Sequence, residues 1–260
     1  MALALSQLTR AIAPKAPRIL IHGVAGVGKT TFAAGASKPV VIQTEDGLGT
    51  LDVPHFPLAR TFDQVIEGLA ALYTEDHDFQ TVIVDSVDWL EPLVWAKACR
   101  DNGWNSIEDA GYGKGYVAAL NLWRQYLDGL NALRDERGMT VVQIAHTDIK
   151  RFDSPEHDPF DRYVIKLHSR AAALLQEHSD IVLFANYRIS TVKADVGFNK
   201  KINRAVGSGE RVMHTVERPA FLAKNRYALP ETLPLQWQAF AQAMPEALQA
   251  SLLGAQMTPA

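Results

Sequence analysis

Residues 18–30 read Arg18-Ile-Leu-Ile-His22-Gly23-Val-Ala-Gly-Val-Gly-Lys29-Thr30. The first five residues are mostly apolar and β-prone, the composition of a strand buried on both faces. The last eight match G-x-x-x-x-G-K-[ST], a pattern expected by chance at roughly the 1% level in a chain of this length. Its glycines let main-chain N–H groups turn inward around phosphate oxygens. Lys29 brings a point charge to β- and γ-phosphates, and the Thr30 hydroxyl suits Mg2+. Residues 29–37 then read as a helix stopped before Pro39, whose positive end adds to the same site. The candidate nucleotide-binding residues are Gly23, Val24, Ala25, Gly26, Val27, Gly28, Lys29, Thr30 and Thr31, with ATP and Mg2+ as expected ligands. A glycine turn with an incidental lysine would need both the strand and the helix to be coincidences.

Such a loop needs an acid on a neighbouring strand. Residues 81–84 (TVIV) supply it by ending in Asp85, which with Thr30 forms the expected metal site. Asp85 could instead serve the helix that follows, since Ser86 and Asp88 precede residues 89–100. No glutamate follows Asp85, so the water-activating base is sought elsewhere. Residues 40–47 (VVIQTEDG) end a second strand in two carboxylates. There Glu45, or failing it Asp46, can orient a water against a γ-phosphate; the alternative is a pair of solvated turn residues. His146 ends a fourth strand, 140–145 (TVVQIA), where a polar side chain would sense the γ-phosphate, although a lone histidine is more often structural.

Short apolar strands alternate with helices along the remaining chain. The expected helices are 61–73, opened by the capping box Thr61-Phe-Asp-Gln64, then 89–100, 116–137, 168–177 and 235–243. A fifth strand is expected at 180–185, with β-like pieces at 187–193, 211–216 and 220–224. Residues 101–115 and 147–166 read as loops. The pattern predicts an α/β fold: three layers, a mostly parallel sheet, and a late β-hairpin region. The expected organisation is a lead-in over 1–17, a core over 18–235 and a C-terminal helix and tail over 236–260.

The chain has 260 residues, 47% of them hydrophobic and 21% charged, which suits a large core and argues against global disorder. No apolar run approaches a membrane span, and the first residues lack signal-peptide order. The lone Cys99 fits a reducing cytosol, so a cytoplasmic location is expected. A net charge of −3 excludes a generically basic DNA-coating protein, yet residues 188–226 hold nine Lys/Arg against three acids. That stretch reads equally as a phosphate-facing surface and as a solvated hairpin.

Together these residues resemble the RecA-like branch of P-loop ATPases. The carrying phrases are the phosphate loop, Ile42-Gln-Thr-Glu45-Asp-Gly-Leu48, Val84-Asp85-Ser86, the polar residue ending the fourth strand, and Ala223-Lys224-Asn225-Arg226. The chain departs at Arg226, where the family has lysine, and at His146, where it has glutamine. It is also similar to compact phage members, through Thr44-Glu-Asp-Gly47, Asp85-Ser-Val-Asp-Trp-Leu90, Gly111-Tyr-Gly-Lys-Gly-Tyr116 and Ala145-His-Thr147. The resemblance implies Lys29, Glu45 and His146 as catalytic groups, and Lys224 and Arg226 as cations acting on a neighbouring subunit's ATP. It implies a homo-oligomer, a ring or filament, with residues 187–226 including the subunit junction. It also implies single-stranded DNA as ligand, with single-strand annealing in recombination as output and a single-strand-binding protein as a further partner. The family's two DNA loops fall on 101–115 and 147–166. The first holds Trp104, Tyr112 and Lys114; the second holds Lys150, Arg151, Phe152, Arg162, Tyr163 and Lys166. Interleaved aromatics and cations suit stacked bases and phosphates, although Asp153, Glu156, Asp158 and Asp161 in the second loop oppose this. A nucleotide-switched interaction protein that never touches DNA is the alternative; a small-molecule kinase is a poorer one, since the expected arginine-rich lid is weak.

Overall fold

A computed structural model describes residues 14–154, 158–195 and 201–254, with side chains apart from those of 189–208. The expected N-terminal lead-in, 1–17, falls largely outside the described residues. Strand β1 (Arg18–Gly23) runs parallel between β4 (Thr140–Phe152) and β6 (Ile181–Asp195). Beyond β4 lie β3 (Thr81–Asp85) and then β2 (Pro39–Gln43), also parallel. The order β2-β3-β4-β1-β6 therefore separates Asp85's strand from the phosphate-loop strand by one strand. That corrects the expectation of adjacency: β4, carrying His146, stands between them.

Period-two alternation sorts the strand side chains to two faces. Leu20, Val82, Val84 and Val141 pack against α2 (Phe62–Thr74), α3 (Val87–Asn102), α4 (Lys114–Glu136) and α5 (Ser169–His178). Ile19, Ile21, Ile83, Val142 and Ile144 pack against α1 (Lys29–Ala34), α6 (Trp237–Ala243) and α7 (Glu246–Leu253). The result is the three-layer α/β core with helices on both faces. Half of the capping box forms, with Thr61 Oγ1 accepting from the Gln64 N–H at 3.2 Å, while the Gln64 side chain accepts from the Arg60 N–H at 2.7 Å rather than from that of Thr61.

Three departures concern the outer parts. The expected loop 147–166 is a β-ribbon: β4 continues to Phe152 and pairs antiparallel with β5 (Phe160–Ile165). The expected late hairpin forms but is longer than the pieces read at 187–193 and 211–216: β6 outruns the core and pairs with β7 (Lys201–His214), while β8 (Lys224–Asn225) and β9 (Thr232–Pro234) complete that side. The expected tail folds as α7, because Leu248 and Leu252 bury in the core and the Trp237 indole N–H donates to the Leu252 carbonyl at 2.8 Å.

Candidate nucleotide site

The sheet register aligns the chemistry. Gly23 is level with His146, Ile144 with Asp85, and Asp85 with Gln43, so the carboxyl ends of four strands share one edge. The phosphate loop turns at Gly26 and Gly28, whose φ angles of 72° and 102° place them where a Cβ is unfavourable. Lys29 is buried, and its ammonium donates to the carbonyls of Gly23 and Val24 at 3.1 Å each. Burial lowers its pKa, while Asp85, Asp88 and Glu45 oppose that by favouring the charge.

The Thr30 hydroxyl donates to Asp85 Oδ2 at 2.7 Å, since α1 carries it back across β4. Burial raises the Asp85 carboxyl, against the Thr30 bond and the Lys29 charge. Its second oxygen, Oδ1, is buried without a hydrogen-bond partner. A hydroxyl beside an acid with one unused oxygen fits Mg2+, an oxygen-seeking ion that takes few protein ligands and keeps phosphates and waters. Among the described residues no cluster of three or more His, Cys, Asp or Glu suits a metal.

Glu45 is tied to Asp85 by the main chain. The Asp85 carbonyl accepts from the N–H groups of Thr44 and Glu45 at 2.8 and 3.3 Å, and the Thr44 hydroxyl donates to the Ser86 carbonyl at 2.6 Å. Burial raises the Glu45 carboxyl, and the neighbouring His146 opposes the rise. A raised carboxyl is a stronger base near neutral pH. His146 donates its Nδ1–H to Asp88 Oδ2 at 2.9 Å, and its main-chain N–H donates to Asp88 Oδ1 at 2.9 Å. The Asp88 bond raises the imidazole, and fixing Nδ1 leaves Nε2 available. Burial alone would raise Asp88, yet these two bonds hold it low. A cleft of about 500 Å³ collects Gly28, Lys29, Thr30, Glu45, Asp85 and His146, with the 47–51 segment as its outer wall.

Asp88 and the 47–51 wall are the residues that the sequence reading did not assign to the site. Asp88 lies in the first turn of α3, which starts two residues after Asp85, and an acid at a helix start read only as a capping residue. Asp46 lines the neighbouring cleft instead.

The candidate DNA residues separate by exposure. Tyr112, Lys114, Lys150, Arg151, Phe152 and Lys166 are exposed, whereas Trp104 and Tyr163 are half-buried. Arg162 is buried, pairs with Glu217, and lies with its guanidinium 5.2 Å from the Phe152 ring centroid. Lys224 and Arg226 lie at the opposite end of β6 from the phosphate loop. Lys224 caps α5 through the carbonyls of Gln176, Glu177 and Ser179 at 2.9, 3.0 and 2.7 Å, and Arg226 pairs with Asp180 at 3.0 Å. Reaching a second subunit would require releasing those bonds.

A family model described as an AAA domain matches residues 15–227. The chain belongs to the AAA_24 family of AAA domains. Its P-loop core is accordingly that of an AAA-type, nucleotide-binding ATPase domain. The crystal structure of the RadB recombinase aligns with this AAA domain at a TM-score of 0.43 and 17% identity, covering 79% of this chain and 84% of that one. Those values transfer neither residue roles nor activity. "Membrane-associated guanylate kinase, WW and PDZ domain-containing protein 3" of Mus musculus and of Rattus norvegicus are each 28% identical over 106 residues. The match spans 36% of this chain and 7% of their length. Among the described residues of the AAA domain, no helix is long and apolar enough to cross a membrane.

Behind His146, both Glu91 oxygens accept from the His168 N–H at 3.0 Å, and burial pushes the Glu91 carboxyl up to about 7. The His168 ring stacks on Tyr116 with centroids 4.0 Å apart. Because the folded pKa exceeds the ordinary 4.5, stability from this site is full below about pH 4.5 and is lost as pH rises through about 7. Glu91→Gln keeps an acceptor without the charge. It is expected to melt several degrees above the native chain at pH 8, at roughly 2–4 °C per kcal/mol, with the gap closing at pH 5. Thermal melts at the two pH values check this, and identical shifts at both would remove Glu91 from the pH response.

Proposed function

We propose that this chain is a magnesium-dependent, RecA-like ATPase of phage type that binds single-stranded DNA as a homo-oligomer and promotes strand annealing. The observation that carries the ATPase part is the single cleft shared by Lys29, Thr30, Glu45, Asp85 and His146. Lys29 and the loop amides bind and orient the polyphosphate. Thr30 and Asp85 would hold Mg2+, which when bound draws off phosphoryl charge. Glu45 orients a water and takes its proton. His146, with Nδ1 fixed by Asp88, presents Nε2 towards the reacting phosphate.

The DNA part rests on exposed Lys150, Arg151, Phe152 and Lys166 on the ribbon, with Tyr112 and Lys114 at the start of α4. Cations beside an exposed ring suit phosphates and stacked bases. Anisotropy of labelled oligo-dT, titrated with and without ATP, is expected to show binding that weakens steeply with salt. An oligo-dT that stays free at low salt would exclude this part while leaving the ATPase part standing.

A second reading is favoured by a cleft of about 600 Å³ on the other side of Glu45, lined by Leu58, Trp89, Pro92 and Leu93, with Trp89 exposed. A protein partner seated there would make this a nucleotide-switched interaction module. ATP turnover unchanged by DNA, but altered by a partner recovered in pull-down, would favour it.

A further inference from the structure

The P-loop has a second basic neighbour in the same chain. Arg211 lies on β7, which is anchored where the Leu235 N–H donates to the Arg211 carbonyl at 3.1 Å. Its guanidinium comes down on Gly28: a Cβ built on that glycine would stand 2.7 Å from Arg211 Nη1. The missing side chain that lets Gly28 adopt a φ of 102° also admits the arginine. Directly opposite Arg211 in the β6–β7 ladder is Tyr187, whose hydroxyl donates to the Gly26 carbonyl at 3.4 Å. Two side chains from one rung of the ribbon thus rest on the two left-handed glycines of the loop. The adjacent Arg188 is engaged by Glu210 at 2.8 Å. Arg211 is exposed and, among the described residues, has no carboxylate within ion-pair distance. A guanidinium held over a loop built for phosphate, with no carboxylate paired to it among the described residues, is suited to a phosphate oxygen.

We propose that Arg211 is a second phosphate-binding cation acting in cis, contacting the polyphosphate of a bound nucleoside di- or triphosphate from the β7 side while Lys29 approaches from within the loop. The ligand class is set by the charge: nucleotides with two or more phosphates gain the contact. This rests on the nucleotide-binding reading above, and the experiment separates the two.

The fluorescent analogues N-methylanthraniloyl-ADP and N-methylanthraniloyl-ATP would be titrated into the native chain, Arg211→Ala, Arg211→Lys and Lys29→Ala. The melting temperature of each free chain would be recorded in parallel. Losing one charge-assisted hydrogen bond is expected to weaken both analogues by about ten-fold or more in Arg211→Ala. Arg211→Lys should recover part of that loss, and the deficit should shrink in high salt. Equal affinity of Arg211→Ala and the native chain overturns the assignment. So does a loss that lysine does not relieve at all, since the role would then be one of shape. If Arg211→Ala melts early, Arg211→Gln, which keeps a long polar side chain without the charge, is compared with the native chain instead: a salt-sensitive deficit supports the contact, and unchanged affinity refutes it. No binding by the native chain would instead defeat the nucleotide reading itself.

Discussion

Lys29→Ala is expected to lower ATP turnover by at least about 10²–10³-fold, the usual cost of removing one preorganised charge from a transition-state cradle, while the chain stays folded. Lys29 is enclosed by the loop it serves, bonded to the carbonyls of Gly23 and Val24, and surrounded by Asp85, Asp88 and Glu45. Its removal leaves three acids facing an incoming polyphosphate with their repulsion uncompensated. Affinity for ATP should therefore fall together with turnover. The core is spared, because Phe32 and Ala33 on the same helix continue to pack. Far-UV circular dichroism should match the native chain, and phosphate release should be near background. Release at the native rate by a folded Lys29→Ala chain would mean that the loop is not the reaction site.

Glu45→Gln separates binding from chemistry. The amide keeps the shape and the main-chain bonds that tie residue 45 to Asp85, but it cannot take a proton. Turnover is expected to fall by about 10²–10⁴-fold, the range ascribed to a general base. Nucleotide affinity should be equal or tighter, because a carboxylate near the phosphates is gone. Single-turnover hydrolysis alongside equilibrium binding measures the two effects separately. Native turnover would release Glu45 from the role and leave Asp46, across the ridge in the second cleft, as the next candidate.

Legibility in the sequence followed the range of the interaction. β1 and its loop could be read because local periodicity and glycine spacing encode them within about a dozen residues. Glu45 and Asp85 could be read because each terminates an apolar run, and parallel strands bring such ends to one edge. The insertion of β4 between the two halves of the site is a matter of long-range pairing, which no local pattern reports. The outer half of β4 reads as a loop because its residues 148–152 are exposed on both faces and lack the alternation that marks a strand. Arg162 read as a cation for DNA, yet its partner Glu217 lies 55 positions away. Lys224 read as a free charge, yet the carbonyls that hold it lie 45 to 48 positions earlier. Trp237 and Leu252 pair over a shorter span, but the apolar spacing of α7 is modest, so its helix passed for a tail.

The continuity of β4 has a mechanical consequence. One unbroken strand passes from the packed interior, through His146 at the cleft, to Phe152 at the far end of the exposed ribbon. Six residues at about 3.3 Å each make that outer arm about 20 Å long. It has no register shift along its pairing with β5, so a rotation at His146 would be carried out to the tip. A rotation of about ten degrees there carries the aromatic tip through about 3.5 Å, roughly the thickness of one stacked base.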